Sequence, residues 1–265
     1  MLAGFSPARR RVVLVLGTLL VLAVAALTGM LIAGSSDPAA PVAQDRLGPV
    51  LLVPGYGGGT DALQPLADEL RALGRDTTVV SLPGEGTGDL NASADVLGKD
   101  AEAALARTGA QTVDLVGYSA GGLVARLWVA DGHAGTVRRV VTLGSPHHGT
   151  SLAGLAGAFA PGECPQGCRQ MAPDSDLLAA LNADDETPQG PTWVSIWTEQ
   201  DETVRPPDSA RLEGALNVTV QSVCAVARVG HGQLPGDPLV RAMVLAVLAA
   251  GEPVDLGPQD CARLS

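Results

Sequence analysis

A doubly wound α/β fold with a mainly parallel sheet is what this sequence predicts, and three observations carry the prediction. Short apolar runs alternate along the chain with segments of helical spacing. Those runs are mostly apolar rather than strictly alternating, as in strands covered by helices on both faces. One of them leads directly into Gly117-Tyr118-Ser119-Ala120-Gly121, which reads as a sharp turn from strand to helix. At 265 residues the chain has room for one such domain of ordinary size.

The first strand is Pro49 to Val53, closed by Pro54-Gly55. Leu63, Leu66, Leu70 and Leu73 have helical spacing, and Gly74 stops that helix. Thr77 to Leu82 reads as strand, and Pro83-Gly84-Glu85-Gly86 as a turn. Asn91 reads as the N-cap of a helix running to Arg107 and ended by Gly109. Thr112 to Val116 is the strand before Ser119, and Leu123 to Trp128 lies in the helix after it. Arg138 to Leu143, Thr192 to Thr198 and Leu216 to Val223 are the remaining strands, and Leu239 to Leu248 is a closing helix. Segment 150–190 breaks this rhythm with Gly, Pro, two cysteines and Asp184-Asp185-Glu186. It is too long for an ordinary connection and is read as a small cap insertion over the carboxyl edge of the sheet, where ligands bind.

The N-terminus carries the topological information. Arg9, Arg10 and Arg11 precede an uncharged apolar run over residues 12–33, long enough to cross a bilayer as a helix. Arginines on that side favour a cytoplasmic N-terminus. Residues 1–11 are therefore expected in the cytoplasm, and 12–33 as a signal-anchor or a cleaved signal peptide. Residues 34–48 are expected as a linker and 49–265 as the domain, outside the cytoplasm in either case. Four cysteines, Cys164, Cys168, Cys224 and Cys261, read as disulfides in an exported chain. Of the three possible connectivities, Cys164–Cys168 with Cys224–Cys261 is favoured. A zinc site is not expected, because the CxxxC lacks a second ligand pair. The net charge of -11 argues against a nucleic-acid partner.

A serine in Gly-x-Ser-x-Gly between strand and helix is a candidate nucleophile. The turn forces Ser119 into a sparsely populated conformation, and Gly117 and Gly121 relieve the crowding around it. The helix that follows points its N-terminus at Ser119, so the N–H of Ala120 can help hold an oxyanion. A second donor is expected from the loop after the first strand, at the N–H of Tyr56. The hydroxyl needs a base held by a carboxylate, and with such a turn the chain order is Ser, acid, His. His133 falls at the far end of the helix, and His147 and His148 directly follow a strand end, where they could line the pocket but come before the expected acid in chain order. His231, after the last strand, is left as the base. Asp201, just past the strand Thr192–Thr198, is the acid, with Asp208 as second choice.

Val53-Pro54-Gly55-Tyr56-Gly57, Gly117-Tyr118-Ser119-Ala120-Gly121-Gly122, Thr142-Leu143-Gly144-Ser145-Pro146-His147-His148-Gly149-Thr150, Asp201 followed by Thr203-Val204, and Val229-Gly230-His231 together resemble a known family. Over residues 49–250 the chain is similar to bacterial lipases of the α/β-hydrolase superfamily, including the small exported triacylglycerol lipases. The resemblance implies Ser119 as nucleophile, Asp201 as acid, His231 as base and Tyr56 as oxyanion residue. It implies hydrolysis of carboxylic esters, of lipids in particular, without a cofactor. Pro54 departs from the histidine that the family often carries there. Some related lipases bind calcium, but no ligand cluster for it is visible here. Leu152, Leu155 and Phe159 in the cap are either its own core or a surface for an acyl chain. The alternatives are an acyltransferase with the same triad and a non-catalytic, membrane-tethered binding module. A monomer is expected, meeting the membrane through residues 12–33 if these are uncleaved.

Overall fold

A computed structural model describes residues 16–18, 20, 21 and 41–265. The first few of these are helical, but most of the apolar run 12–33 lies outside the described residues. Among the described residues no helix is long and apolar enough to cross a membrane.

Six strands of the domain form one parallel sheet in the order β2-β1-β3-β4-β5-β6. They are β1 (Val50–Val53), β2 (Thr77–Val79), β3 (Val113–Tyr118), β4 (Val137–Leu143), β5 (Thr192–Trp197) and β6 (Leu216–Thr219). The reason for their mostly apolar runs is visible in the packing of β1, which is apolar throughout. Val50 and Leu52 point to one face, against Leu66 and Leu70 of α1 (Gln64–Ala72) and Met243 and Val244 of α8 (Pro238–Val247). Leu51 and Val53 point to the other, against Leu97 of α2 (Leu90–Thr108) and Leu123 of α3 (Ala120–Trp128). Both faces are dry, so period-two alternation disappears from the sequence. The strand order reverses between β1 and β3, and the loops after these two strands leave in opposite directions. In open sheets of this kind, the crevice at that switch point is where ligands bind.

Several element boundaries differ from the sequence reading; β2 ends at Val79 and β3 runs from Val113 to Tyr118. The helix α2 starts at Leu90 and is capped by Asp89, whose carboxylate accepts the Asn91 N–H. A carboxylate satisfies an orphan amide and opposes the helix dipole at once. The last strand stops at Thr219, and Val220–Val223 forms the short α7. Thr219 Oγ1 accepts the Ser222 N–H and turns the chain. Part of the expected linker is bound to the domain. The Val42 N–H donates to the Gly190 carbonyl, and the Gln44 amide bridges Arg138, Arg139 and Thr192.

Segment 150–190 holds three helices, α4 (Ser151–Phe159), α5 (Gln166–Gln170) and α6 (Asp176–Leu181). The side chain of Gln170 ties α5 to the start of α2, accepting from the Leu90 N–H and donating to Asp89. The buried Arg126 of α3 donates to Asn182 and to the carbonyls of Leu181 and Glu186. Cys164 is bonded to Cys168 and Cys224 to Cys261. The second bond fastens α9 (Cys261–Leu264) to the end of α7.

Arg138 and Arg139, side by side on β4, are both buried. Arg138 forms a two-pronged pair with Asp114, at 2.8 and 2.6 Å, and Arg75 reaches the same carboxylate at 2.6 Å. The two guanidiniums also take up the carbonyls of Val247, Leu248, Ala249 and Gly251 at the end of α8. The first two are acceptors that a helix C-terminus leaves unused, the other two follow it in the chain, and positive charge is favoured at such an end. Removing one partner of such a buried pair strands the other. Asp114→Ala is therefore expected to destabilise the fold by about 3–5 kcal/mol, read from urea unfolding of the oxidised protein. A loss under about 1 kcal/mol would show that the carbonyls alone hold Arg138.

Candidate active site

Strand β3 ends at Tyr118 and α3 begins at Ala120, so one residue makes the whole turn. That residue, Ser119, has φ 53° and ψ -125°, a region rarely visited by residues with a side chain. Holding it there costs about 1–3 kcal/mol, which the surrounding packing supplies. The Ser119 N–H is anchored on the Leu143 carbonyl at 2.8 Å. Close approach of α3 to the sheet requires Gly121. A methyl group there would lie 2.2 Å from the Val53 carbonyl oxygen and 2.6 Å from that of Pro54.

Ser119 Oγ lies 3.0 Å from Nε2 of His231, and Nδ1 of His231 lies 2.7 Å from Oδ2 of Asp201. All three side chains are buried. Asp201 sits in the turn after β5, where its other oxygen, Oδ1, accepts the N–H groups of Thr203 and Val204 at 2.9 and 2.7 Å. An ionised carboxylate only accepts, so it fixes the proton of His231 on Nδ1. Nε2 is then bare and faces the Ser119 hydroxyl. The arrangement can draw a proton from serine and stabilise the imidazolium that results.

The proposed oxyanion donors lie at the switch point. Gly55 runs so close to Ser119 that a methyl on it would lie 3.0 Å from Ser119 Cβ. Tyr56 follows it, and its side chain is partly exposed. Ala120 opens α3, and the first N–H groups of a helix have no acceptor within it.

The remaining histidines stand apart. His133 stacks on Trp128 with ring centroids 4.7 Å apart. His148 contacts Glu186 at 2.8 Å. His147 is fully buried, 3.1 Å from Thr142 Oγ1. Ser195 donates to the Ala210 carbonyl and accepts from Thr142, so Thr142 must accept from Nε2–H of His147. Burial, then the charges of Arg126 and His148, push His147 well below the usual histidine range. It is neutral and committed to this chain of hydroxyls. Asp208, in the turn Pro207–Ala210, is exposed and does not take the place of Asp201. Among the described residues no three His, Cys, Asp or Glu side chains converge to hold a metal ion.

Two kinds of neighbour escaped the sequence reading. Gly144, with φ 56°, turns the chain after β4 beneath Asp201 and His231. A methyl there would come within 2.5 Å of Leu234 and 3.3 Å of both Asp201 Oδ2 and His231 Nδ1. Its place directly after an apolar strand was the available signal. Glu202 accepts the His231 N–H at 3.1 Å, and the Tyr118 hydroxyl donates to the His231 carbonyl at 3.3 Å. Both neighbour predicted site residues in the chain, but their contacts with His231 span 113 and 29 residues, so no local pattern shows them.

A family model described as the alpha/beta hydrolase fold matches residues 48–170. Among solved structures, lipase B of Aspergillus fumigatus superposes with a TM-score of 0.67 at 18% identity, over 82% of this chain and 59% of that one. A Bacillus licheniformis lipase in its mature form gives 0.61 at 18% identity, over 80% and 96%. A Listeria innocua gene product gives 0.56 at 16% identity, over 80% and 97%. At these identities the likeness concerns the fold.

Proposed function

We propose that this chain, which has the α/β-hydrolase fold and resembles lipases and esterases, cleaves carboxylic esters of lipids through an acyl-enzyme on Ser119. The observation that carries the reading is the buried line of hydrogen bonds from Ser119 through His231 to Asp201, at a strained turn beside the switch point. Ser119 Oγ attacks the ester carbonyl carbon while His231 Nε2 takes its proton. The N–H groups of Tyr56 and Ala120 hold the oxyanion; losing one such donor costs about 3 kcal/mol. The carbonyl re-forms, and the C–O bond to the alcohol breaks as His231 returns the proton to the leaving oxygen. Water, deprotonated by His231, then attacks the acyl-enzyme carbonyl; the bond to Ser119 Oγ breaks as His231 returns the proton to it, and the acid is released.

Leu152 and Leu155 on α4 are about half exposed, and the reading gives segment 150–190 the role of a cap that meets the acyl chain. The two disulfides fit an oxidising compartment outside the cytoplasm. Residues 12–33 would tether the domain to the membrane there, or be removed on export.

The test is turnover of p-nitrophenyl esters from acetate to palmitate by the oxidised full-length chain, with labelling by a phosphonate ester probe. Hydrolysis that extends to the long acyl chains is expected. A folded protein that neither turns over these esters nor takes the probe would overturn the reading. Transfer of the acyl group to an added alcohol in preference to water would make the protein an acyltransferase.

A further inference from the structure

We propose that Tyr118 and Glu202 are positioning residues that clamp the main chain of His231 from both sides and hold its imidazole on the line between Ser119 and Asp201. The inference rests on the reading of His231 as the base. Each clamping residue is the chain neighbour of another member of the site: Tyr118 precedes Ser119, and Glu202 follows Asp201. Whatever sets the nucleophile and the acid therefore also sets the backbone of the base.

His231 opens a single turn, His231–Gln233, so its N–H has no acceptor within that turn. Glu202 Oε2 supplies one at 3.1 Å. On the other side, Tyr118 donates to the His231 carbonyl at 3.3 Å, and its ring lies 5.3 Å from the imidazole. Burial, then the charges of Asp201 and Glu202, push the Tyr118 phenol up to about 12. It therefore keeps the proton it donates throughout the neutral range. The preceding residues are fixed as well: Thr198 donates to the Val229 carbonyl at 2.6 Å, and Gln233 accepts the Gly230 N–H at 2.8 Å. This loop has little regular structure of its own, so the side chains set its position.

Gly230 gives an independent handle. Its backbone is extended, with φ -87°, so alanine fits it. A methyl there would lie 2.9 Å from Glu202 Oε2 and 3.3 Å from Oε1. Gly230→Ala should thus displace the carboxylate without touching it in sequence.

The experiment compares Glu202→Ala, Glu202→Gln, Gly230→Ala and Tyr118→Phe in the oxidised full-length chain. Displacing a reacting group slightly costs turnover and leaves substrate binding alone, so kcat should fall about 10-fold in Glu202→Ala and Gly230→Ala with KM unchanged. Glutamine still offers an oxygen to the His231 N–H, so Glu202→Gln should stay within about 2-fold of the wild type. Glu202→Ala and Gly230→Ala combined should be no worse than either alone, because both remove one contact. Tyr118→Phe should lower kcat on its own and add to Glu202→Ala. The downfield proton resonance of His231 Nδ1–H supplies a readout that needs no ester. It should be sharp in the wild type and in Glu202→Gln, and broadened by exchange in Glu202→Ala. Unchanged kcat and an unchanged resonance in Glu202→Ala would overturn the clamp. So would a glutamine variant as impaired as the alanine, or a change confined to KM. A wild type without ester turnover, whose resonance still responds in this way, would leave the clamp standing and remove the hydrolase reading instead.

Discussion

Ser119→Ala is expected to lower kcat on a p-nitrophenyl ester by about 10⁶-fold while leaving the fold intact. The size of the loss follows from the chemistry. Without Oγ no acyl-enzyme forms, and water must attack the ester directly. Binding and the two oxyanion amides remain, so a residual acceleration of about 10³–10⁴ over the uncatalysed reaction is expected. The fold should survive because the substitution removes one atom, adds none, and keeps the anchor of the residue 119 N–H on the Leu143 carbonyl. The hydrogen bond from Oγ to His231 is lost, worth about 1 kcal/mol at most to stability. Thermal unfolding and phosphonate labelling beside the rate measurement separate these effects. A variant that keeps more than about a hundredth of the activity would point to another nucleophile, because no positioning effect alone restores so much.

Asp201→Asn should lower kcat by about 10⁴-fold, and the structure gives the reason. Oδ1 of Asp201 accepts two N–H groups, from Thr203 and Val204. An asparagine must put its carbonyl oxygen there, since its amide nitrogen cannot accept. The NH₂ group then faces His231 Nδ1, which has to become the acceptor. The imidazole proton moves to Nε2, where it faces Ser119 and can no longer take the serine proton. The ring stays in place and the chemistry stops. A companion change tests this account. Asp201→Ala removes the carboxylate without imposing a tautomer and should retain more activity than Asp201→Asn. The reverse order would mean that Asp201 acts through charge more than through the tautomer.

Much of this site was legible in the sequence because its parts obey local rules. Gly117-Tyr118-Ser119-Ala120-Gly121 follows an apolar run and precedes a helix, and a parallel sheet with that turn puts every strand end on one edge. Asp201 and His231 follow the ends of β5 and β6 and so fall on the same edge as Ser119. The element boundaries that failed did so where a side chain redirected the chain. Asp89 starts α2 two residues early, and Thr219 ends β6 in mid-run. The buried pair Arg138-Arg139 runs against the local pattern altogether. Two adjacent charges on a strand read as a solvated edge, and they are tolerated inside only because Asp114 and the open end of α8 meet them. Those partners lie far away in sequence, and nothing near β4 announces them.

The sequence by itself determined the kind of fold, the strained turn at Ser119 and the residue types that can share a proton with it. Periodicity, glycine placement and side-chain chemistry are properties of short segments, and short segments can be read alone. Tertiary structure alone decided the rest. It set the distances of 3.0 and 2.7 Å that join Ser119, His231 and Asp201, the neutrality of His147, and the hydrogen bonds of Tyr118 and Glu202 to the His231 main chain. Hydrogen bonds act over about 3 Å and burial over a whole layer of the sheet, so both depend on which distant segments meet.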